Sequence, residues 1–244
     1  GVMKPVTYIA PALLALALSP LAALAGDVAE LNILGFSADG KVFAFEEYGV
    51  QDGSGFPYAN RYYIDVETDR SVPGSPVRIR IDDESASVAD AREKARHLGA
   101  KIYDEDELAS NRGTLVASNP VTERSADPHR VALNPRPVFP PIDPLLEFRI
   151  EEIFVEQPKR CEGLVETKGF KLIRIGVEPG KETRVLHEDE AIPDSRGCPT
   201  GYRIGGVQTF FPDDAEPVYA ILIAVETLGF EGPDFRWIAI PGRL

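Results

Sequence analysis

Histidine and cysteine, from which zinc sites and nucleophilic dyads are most often built, are scarce here: three histidines and two cysteines in 244 residues. His97, His129 and His187 show no H-x-H or H-E-x-x-H spacing, and no C-x-x-C occurs. Neither a zinc site nor a dithiol redox motif is therefore encoded locally. A G-x-S-x-G nucleophile elbow is also missing; Gly53-Ser54-Gly55 comes nearest, and its flanking glycines suit a turn. The acidic runs Asp82-Asp83-Glu84, Asp104 to Glu107, Glu188-Asp189-Glu190 and Asp213-Asp214 do not match an EF-hand and read as solvated charge. No catalytic, metal or cofactor residue is assigned, and the three histidines read as surface residues, His97 with a favourable position near a helix C-terminus.

Positive charge is the next deficit. Lys and Arg total 26 against 39 Asp and Glu, a net charge of -13. Such a surface repels phosphate backbones and anionic headgroups, which argues against nucleic-acid and membrane-surface partners.

Long apolar runs are confined to the N-terminus. Lys4 is the only charge before Asp27, the stretch from Tyr8 to Leu18 is rich in Ala and Leu, Pro20 breaks it, and Ala23-Leu24-Ala25 forms an A-x-A site. That order is the signature of a cleavable export signal over residues 1–25, cut between Ala25 and Gly26. Pro20 interrupts the run short of the roughly 20 apolar residues of a membrane span, so no membrane insertion is expected after cleavage. Gly26 excludes a lipoprotein cysteine at the cut, and the lone Lys4 excludes the twin-arginine route. The expected location is the periplasm or the exterior. The about 220 residues left, 26–244, suit a single domain with a substantial core.

Export also interprets the cysteines. Cys161 and Cys198 both lie in the mature part, and an even count in an oxidising compartment predicts a Cys161–Cys198 disulfide. Closing a loop of that length stabilises the fold by about 4 kcal/mol on the chain-entropy model.

Most of the mature chain reads as antiparallel strand. Apolar runs at Leu31–Phe36 and Val42–Tyr48 flank a turn ending in Asp39-Gly40, a strong hairpin signal. Tyr62–Val66 forms a further strand, and Val77, Ile79 and Ile81 alternate with charges as in a strand with one wet face. One helix is expected: Ser87 caps Val88–Leu98, Gly99 ends it, and Val88, Ala91, Ala95 and Leu98 form its apolar face. Residues 103–119 are acidic and weakly periodic. Between Pro128 and Pro144 six prolines suggest an extended linker lying over the surface.

Beyond that linker, Leu146, Phe148 and Ile150 alternate until Ile153 and Val155 take the opposite parity, which predicts a bulge near Glu151 and Glu152. Phe170–Val177 and Thr183–His187 flank a turn at Glu178-Pro179-Gly180-Lys181. Val218–Val225 is apolar on both parities and suits a strand buried on both faces. The last strand, Phe235–Ile240, carries the single Trp237. Phe36 to Phe45 finds a weak echo in Phe211 to Ile221, too few copies to close a propeller ring.

The segment Gly35-Phe-Ser-Ala-Asp-Gly-Lys-Val-Phe-Ala-Phe-Glu-Glu-Tyr-Gly49, running into Asp52 to Tyr58 and Tyr62-Tyr-Ile-Asp-Val66, resembles the opening of a bacterial family of predicted secreted proteins carrying a domain of unknown function. The likeness extends over most of the mature chain and implies secretion; it supplies no catalytic residues. Phe-Ser-x-Asp-Gly followed by Phe-Ala-Phe is also similar to propeller-blade openings over the first part of the chain.

The Gly-rich loop from Gly49 to Asn60 is the candidate binding element, with Phe56, Tyr58 and the following Arg61 as its side chains; either the aromatics are presented for recognition or they fold back over the sheet. The fold expected is mostly β with one α-helix, an antiparallel two-layer sandwich or partial propeller-like sheets. The function expected is a non-catalytic exported module binding an envelope or extracellular protein or ligand. The alternative is a hydrolase whose carboxylates converge only in the fold.

Overall fold

A computed structural model describes residues 1–2 and 26–244, so residues 3–25 of the expected export signal, with its apolar stretch and A-x-A site, lie outside the described residues. Three antiparallel sheets carry the fold. The first contains β1 (Glu30–Phe36), β2 (Val42–Val50), β3 (Pro57–Asp65) and β4 (Arg70–Ser71) in that order, with β5 (Val77–Arg80) also paired to β3. Two helices follow, α1 (Val88–Gly99) and α2 (Glu105–Ser110), then the strands β6 (Thr114–Ser118) and β7 (Arg130–Leu133). The chain continues through β8 (Leu146–Ile153), β9 (Gly169–Arg174), β10 (Arg184–Glu188), β11 (Pro199–Phe210), β12 (Val218–Thr227) and β13 (Asp234–Arg243). The second sheet has the order β13-β12-β11-β6 and the third β10-β9-β8-β7.

β12 explains how the layers stack. Its odd residues Tyr219, Ile221, Ile223 and Val225 pack with Leu146, Phe148, Ile150, Phe170 and Leu172 of the third sheet. Its even residues Val218, Ala220, Leu222 and Ala224 pack with Phe36, Phe43, Phe45 and Tyr58 of the first. A strand apolar on both parities must be covered on both sides, so the second sheet is the middle layer. The mostly β, antiparallel expectation holds, and the sheet layers number three rather than two.

Helices form a further layer on the outer face of the first sheet. Ser87 caps α1 in a capping box with Asp90, and Ala91, Ala95 and Gly99 are buried against β3 and β5. Leu98, expected on the apolar face, is 41% exposed. Gly99 is the last helical residue and not a left-handed stop; a Cβ there would collide with the Tyr63 hydroxyl, so the glycine serves close packing. The second helix, α2, lies in the acidic, weakly periodic stretch 103–119. Its N-cap Asp104 accepts from the Glu107 N–H, and Leu108 is buried beneath the first sheet's Leu34, Ala44 and Tyr63.

Two further expectations need correction. The Pro-rich segment is not all linker, because Arg130–Leu133 pairs with β8 as the edge strand of the third sheet. No bulge occurs at Glu151 and Glu152: β8 pairs with β9 in unbroken register from Phe148 to Ile153. The inward position after Ile150 is filled by Glu152, whose carboxylate accepts from the Tyr202 N–H at 3.0 Å and from Lys168 Nζ at 3.2 Å. A hydrogen-bonded carboxylate thus continues the inward parity in place of an apolar residue. The bulges lie elsewhere, one of them placing Gly205 as the extra residue of β11, where a Cβ would strike the Trp237 ring.

Phe36 stacks on Phe210 at 5.3 Å between centroids, and the turns after β1 and after β11 share one anchor: Arg243 donates to the carbonyls of Asp39 and Glu216.

A candidate ligand cleft between the first and second sheets

Strand alternation decides which side chains reach the cleft. On β3 the residues Tyr58, Asn60 and Tyr62 face the middle sheet, whereas Ala59, Arg61 and Tyr63 face the helices. On β2 the same alternation separates neighbours: Glu46 turns to the helices and Glu47 to the cleft. The resulting concavity has a volume of about 660 Å³. Tyr58, Tyr62, Glu47 and Trp237 form its floor, Arg78 and Arg80 of β5 one wall, and Leu164, Arg196, Gly197 and Cys198 another.

Glu47 is 1% exposed. Its Oε2 accepts from Asn60 Nδ2 at 3.0 Å and from the Tyr62 hydroxyl at 2.7 Å, and its Oε1 accepts from the Trp237 N–H at 2.8 Å. Three donors replace the water it gave up, as burial of a charged acceptor requires. Burial together with the Glu47 charge raises the Tyr62 pKa, which keeps that hydroxyl a donor.

Arginines surround this floor. Arg236 lies over the Tyr58 ring at 4.3 Å and donates to Asp27 Oδ2 at 2.6 Å, and the Tyr58 hydroxyl donates to the same carboxylate at 3.0 Å. Burial raises the Asp27 pKa against the opposing pull of Arg236 and Tyr58. On the other wall Arg196 forks onto Asp189 and lies over the rings of Phe170 and Tyr202. Burial alone would push the Asp189 pKa up, but hydrogen bonds from His187, Arg196 and the Phe170 N–H override it and hold it at about 2. Arg80 pairs with Asp82. Arg78 differs: its guanidinium is placed by the Tyr62 ring at 5.5 Å and its Nη1 donates to the Tyr62 hydroxyl at 3.3 Å, with no ion pair to a carboxylate among the described residues.

A family model described as predicted secreted protein (DUF2259) matches residues 44–243. The chain belongs to this family. No curated protein and no solved structure matches it. Membership of a predicted secreted family agrees with the Cys161–Cys198 disulfide, which the structure forms with a Cα–Cα separation of 5.7 Å. Among the described residues no helix is long and apolar enough to cross a membrane.

In this DUF2259 chain the residues singled out by sequence do not gather into one loop. β2 and β3 extend inward until only residues 51–56 remain as the connection. Phe56 stays there, half-buried, with Arg80 5.9 Å above its ring. Tyr58 folds back and is 3% exposed. Arg61, three residues on, has the opposite parity; it is buried beneath the helices, donating to Glu46 at 2.9 Å and Glu105 at 3.3 Å. Period-two alternation separates Arg61 from the aromatics, so the loop is not presented as a unit.

The remaining candidates are dispersed. Ser54 donates to Gln51 Oε1 and accepts from the Phe56 N–H, a turn-holding role. His129 faces Glu152 at 3.3 Å, His187 faces Asp189 at 2.7 Å, and His97 lies in the last turn of α1. No group of three His, Cys, Asp or Glu side chains suited to a metal occurs among the described residues. What sequence reading missed is Glu46-Glu47. Two adjacent carboxylates inside an aromatic strand must each find a buried partner on opposite faces, and that was the available signal.

Proposed function

We propose that the protein is an exported, non-catalytic binding module of the periplasm or exterior whose ligand occupies this cleft. The observation that carries the reading is Arg78. In a chain with an excess of acid, it is held in position by an aromatic ring and a hydroxyl, leaving its charge available at the mouth of an aromatic-floored concavity. The other arginines of the cleft are engaged by Asp82, Asp189 and Asp27. The volume falls in the range usual for small-ligand sites. Capture from native envelope extract with tagged mature protein tests it: wild type retains a component that Arg78→Glu plus Arg80→Glu loses. Identical capture by both proteins removes the cleft from consideration.

One observation favours the hydrolase alternative, since Asp27 and Asp189 flank the cleft with pKa values moved in opposite directions. Neither carboxylate lines the cleft itself, and each lies behind an arginine, which is why binding is preferred. Ester or glycoside turnover abolished by Asp27→Asn would reverse that preference.

A further inference from the structure

A second concavity of about 630 Å³ opens at the other side of the molecule, between the Pro-rich segment and the connection from β9 to β10. Two of its lining residues, Arg174 and Arg184, are direct partners across the β9–β10 ladder. Like charges in directly opposed positions destabilise a sheet. Among the described residues neither guanidinium forms an ion pair. Arg174 is held by other means: its Nη1 donates to the Arg243 carbonyl at 3.4 Å, and its guanidinium lies 6.0 Å from the Tyr219 ring centroid. Lys181 also lines the cavity. The acidic side chains present are Glu178, Glu182, Glu216 and Asp143, of which Asp143 is engaged by Arg136.

The rest of the lining is apolar, with Leu145, Leu146, Ile175, Val177, Phe211 and Pro217. Leu145 is 43% exposed, and the same Pro-rich segment leaves Phe139 94% and Ile142 72% exposed. An arginine pair that no carboxylate among the described residues engages in an ion pair thus adjoins uncovered hydrocarbon.

We propose that this cavity binds a single-chain anionic amphiphile, its carboxylate or phosphate head between Arg174 and Arg184 and its hydrocarbon along the Pro-rich wall. The site is separate from the cleft and stands without the function proposed for it. Head and chain answer the two features at once: the anion relieves the cross-strand repulsion, and the chain covers apolar surface.

Calorimetric titration of the mature protein, below micelle-forming concentrations, tests the assignment with dodecanoate, dodecyl phosphate, inorganic phosphate and dodecyltrimethylammonium. Both anionic amphiphiles are expected to bind. Inorganic phosphate binds at least about tenfold more weakly for lack of the chain, and the cationic amphiphile does not bind. Arg174→Gln and Arg184→Gln each weaken dodecanoate about tenfold, the loss of one charge-assisted contact. Arg78→Glu leaves it unchanged, which separates this site from the cleft. Absence of heat with both anionic amphiphiles overturns the proposal, as does equal affinity in the Arg174→Gln/Arg184→Gln double variant. Inorganic phosphate binding as tightly as dodecyl phosphate overturns the hydrocarbon wall. A folding readout is independent: without ligand at low salt, Arg184→Gln keeps or raises the melting temperature because repulsion is relieved. A clear fall would assign Arg184 a structural role and overturn the site.

Discussion

Glu46 and Glu47 are neighbours in sequence, equally inaccessible, and satisfied by opposite means. On the helix face Glu46 is held by cations, Arg61 at 2.9 Å and Arg92 at 2.7 Å, with Glu105 and Arg96 extending the network. On the cleft face Glu47 is held by an amide, a phenol and a backbone N–H, with no cation among the described residues bonded to it. Ion pairing fastens the helices to the first sheet, whereas dipolar hydrogen bonding leaves the cleft's arginines free of Glu47. One strand thus uses the same residue type as a fastener on one face and as a positioning group on the other.

Breaking the fastener should have the largest effect. Glu46→Ala leaves Arg61 buried without its main counter-charge and is expected to cost about 3–5 kcal/mol in urea unfolding. Adding Arg61→Leu should recover much of that loss, since the isolated charge is the source of the cost. A double variant as unstable as Glu46→Ala alone would show that packing, not charge, dominates the helix face.

The far wall of the cleft combines both means, and pH probes it. With its pKa held at about 2 in the fold, Asp189 contributes about 2 kcal/mol that is fully present above its unfolded value near 4. That contribution disappears as pH falls from 4 through 2. Asp189→Asn should therefore flatten the acid limb of stability against pH measured by thermal unfolding. Asp27 acts in the opposite sense: its raised pKa makes its contribution fall as pH rises through that value.

A smaller effect is expected at Glu47. Glu47→Gln keeps the volume but exchanges an acceptor for a donor facing three donors, at a cost of about 1–2 kcal/mol. Because Trp237 N–H is one of the three, a change in tryptophan emission should accompany it; an unchanged spectrum would argue that the floor relaxes around the substitution. The smallest effect sharpens the helix face alone: Ser87→Ala removes the capping box of α1, worth about 1 kcal/mol.

Local chemistry made much of the fold legible. Asp39-Gly40, the Ser87 cap, the double-sided apolarity of Val218–Val225 and the cysteine pair each follow from short-range rules, and each is found in the structure. The bulge expected in β8 failed because periodicity alone takes no account of a polar residue that points inward with partners. The cleft was not legible because its parts come from β2, β3, β5, the Cys161–Cys198 region and β13. Only sheet stacking unites Tyr58 with Trp237, and no local pattern encodes that. The arginine pair of the second cavity was hidden for the same reason, since it depends on hairpin register.

The disulfide carries a consequence for assembly of the cleft. Leu164 and the Arg196–Cys198 segment belong to two separate excursions of the chain, one after β8 and one before β11, and Cys161–Cys198 joins them into a single covalent unit. Arg160 adds clasps to the carbonyls of Pro193 and Gly197 and to Asp194. The other wall, on β5, needs only strand pairing. One side of the cleft is therefore held by hydrogen-bonded strand pairing, the other by a covalent cross-link. Reduction of Cys161–Cys198 is expected to loosen the cross-linked wall, while the β5 wall keeps its strand pairing to β3.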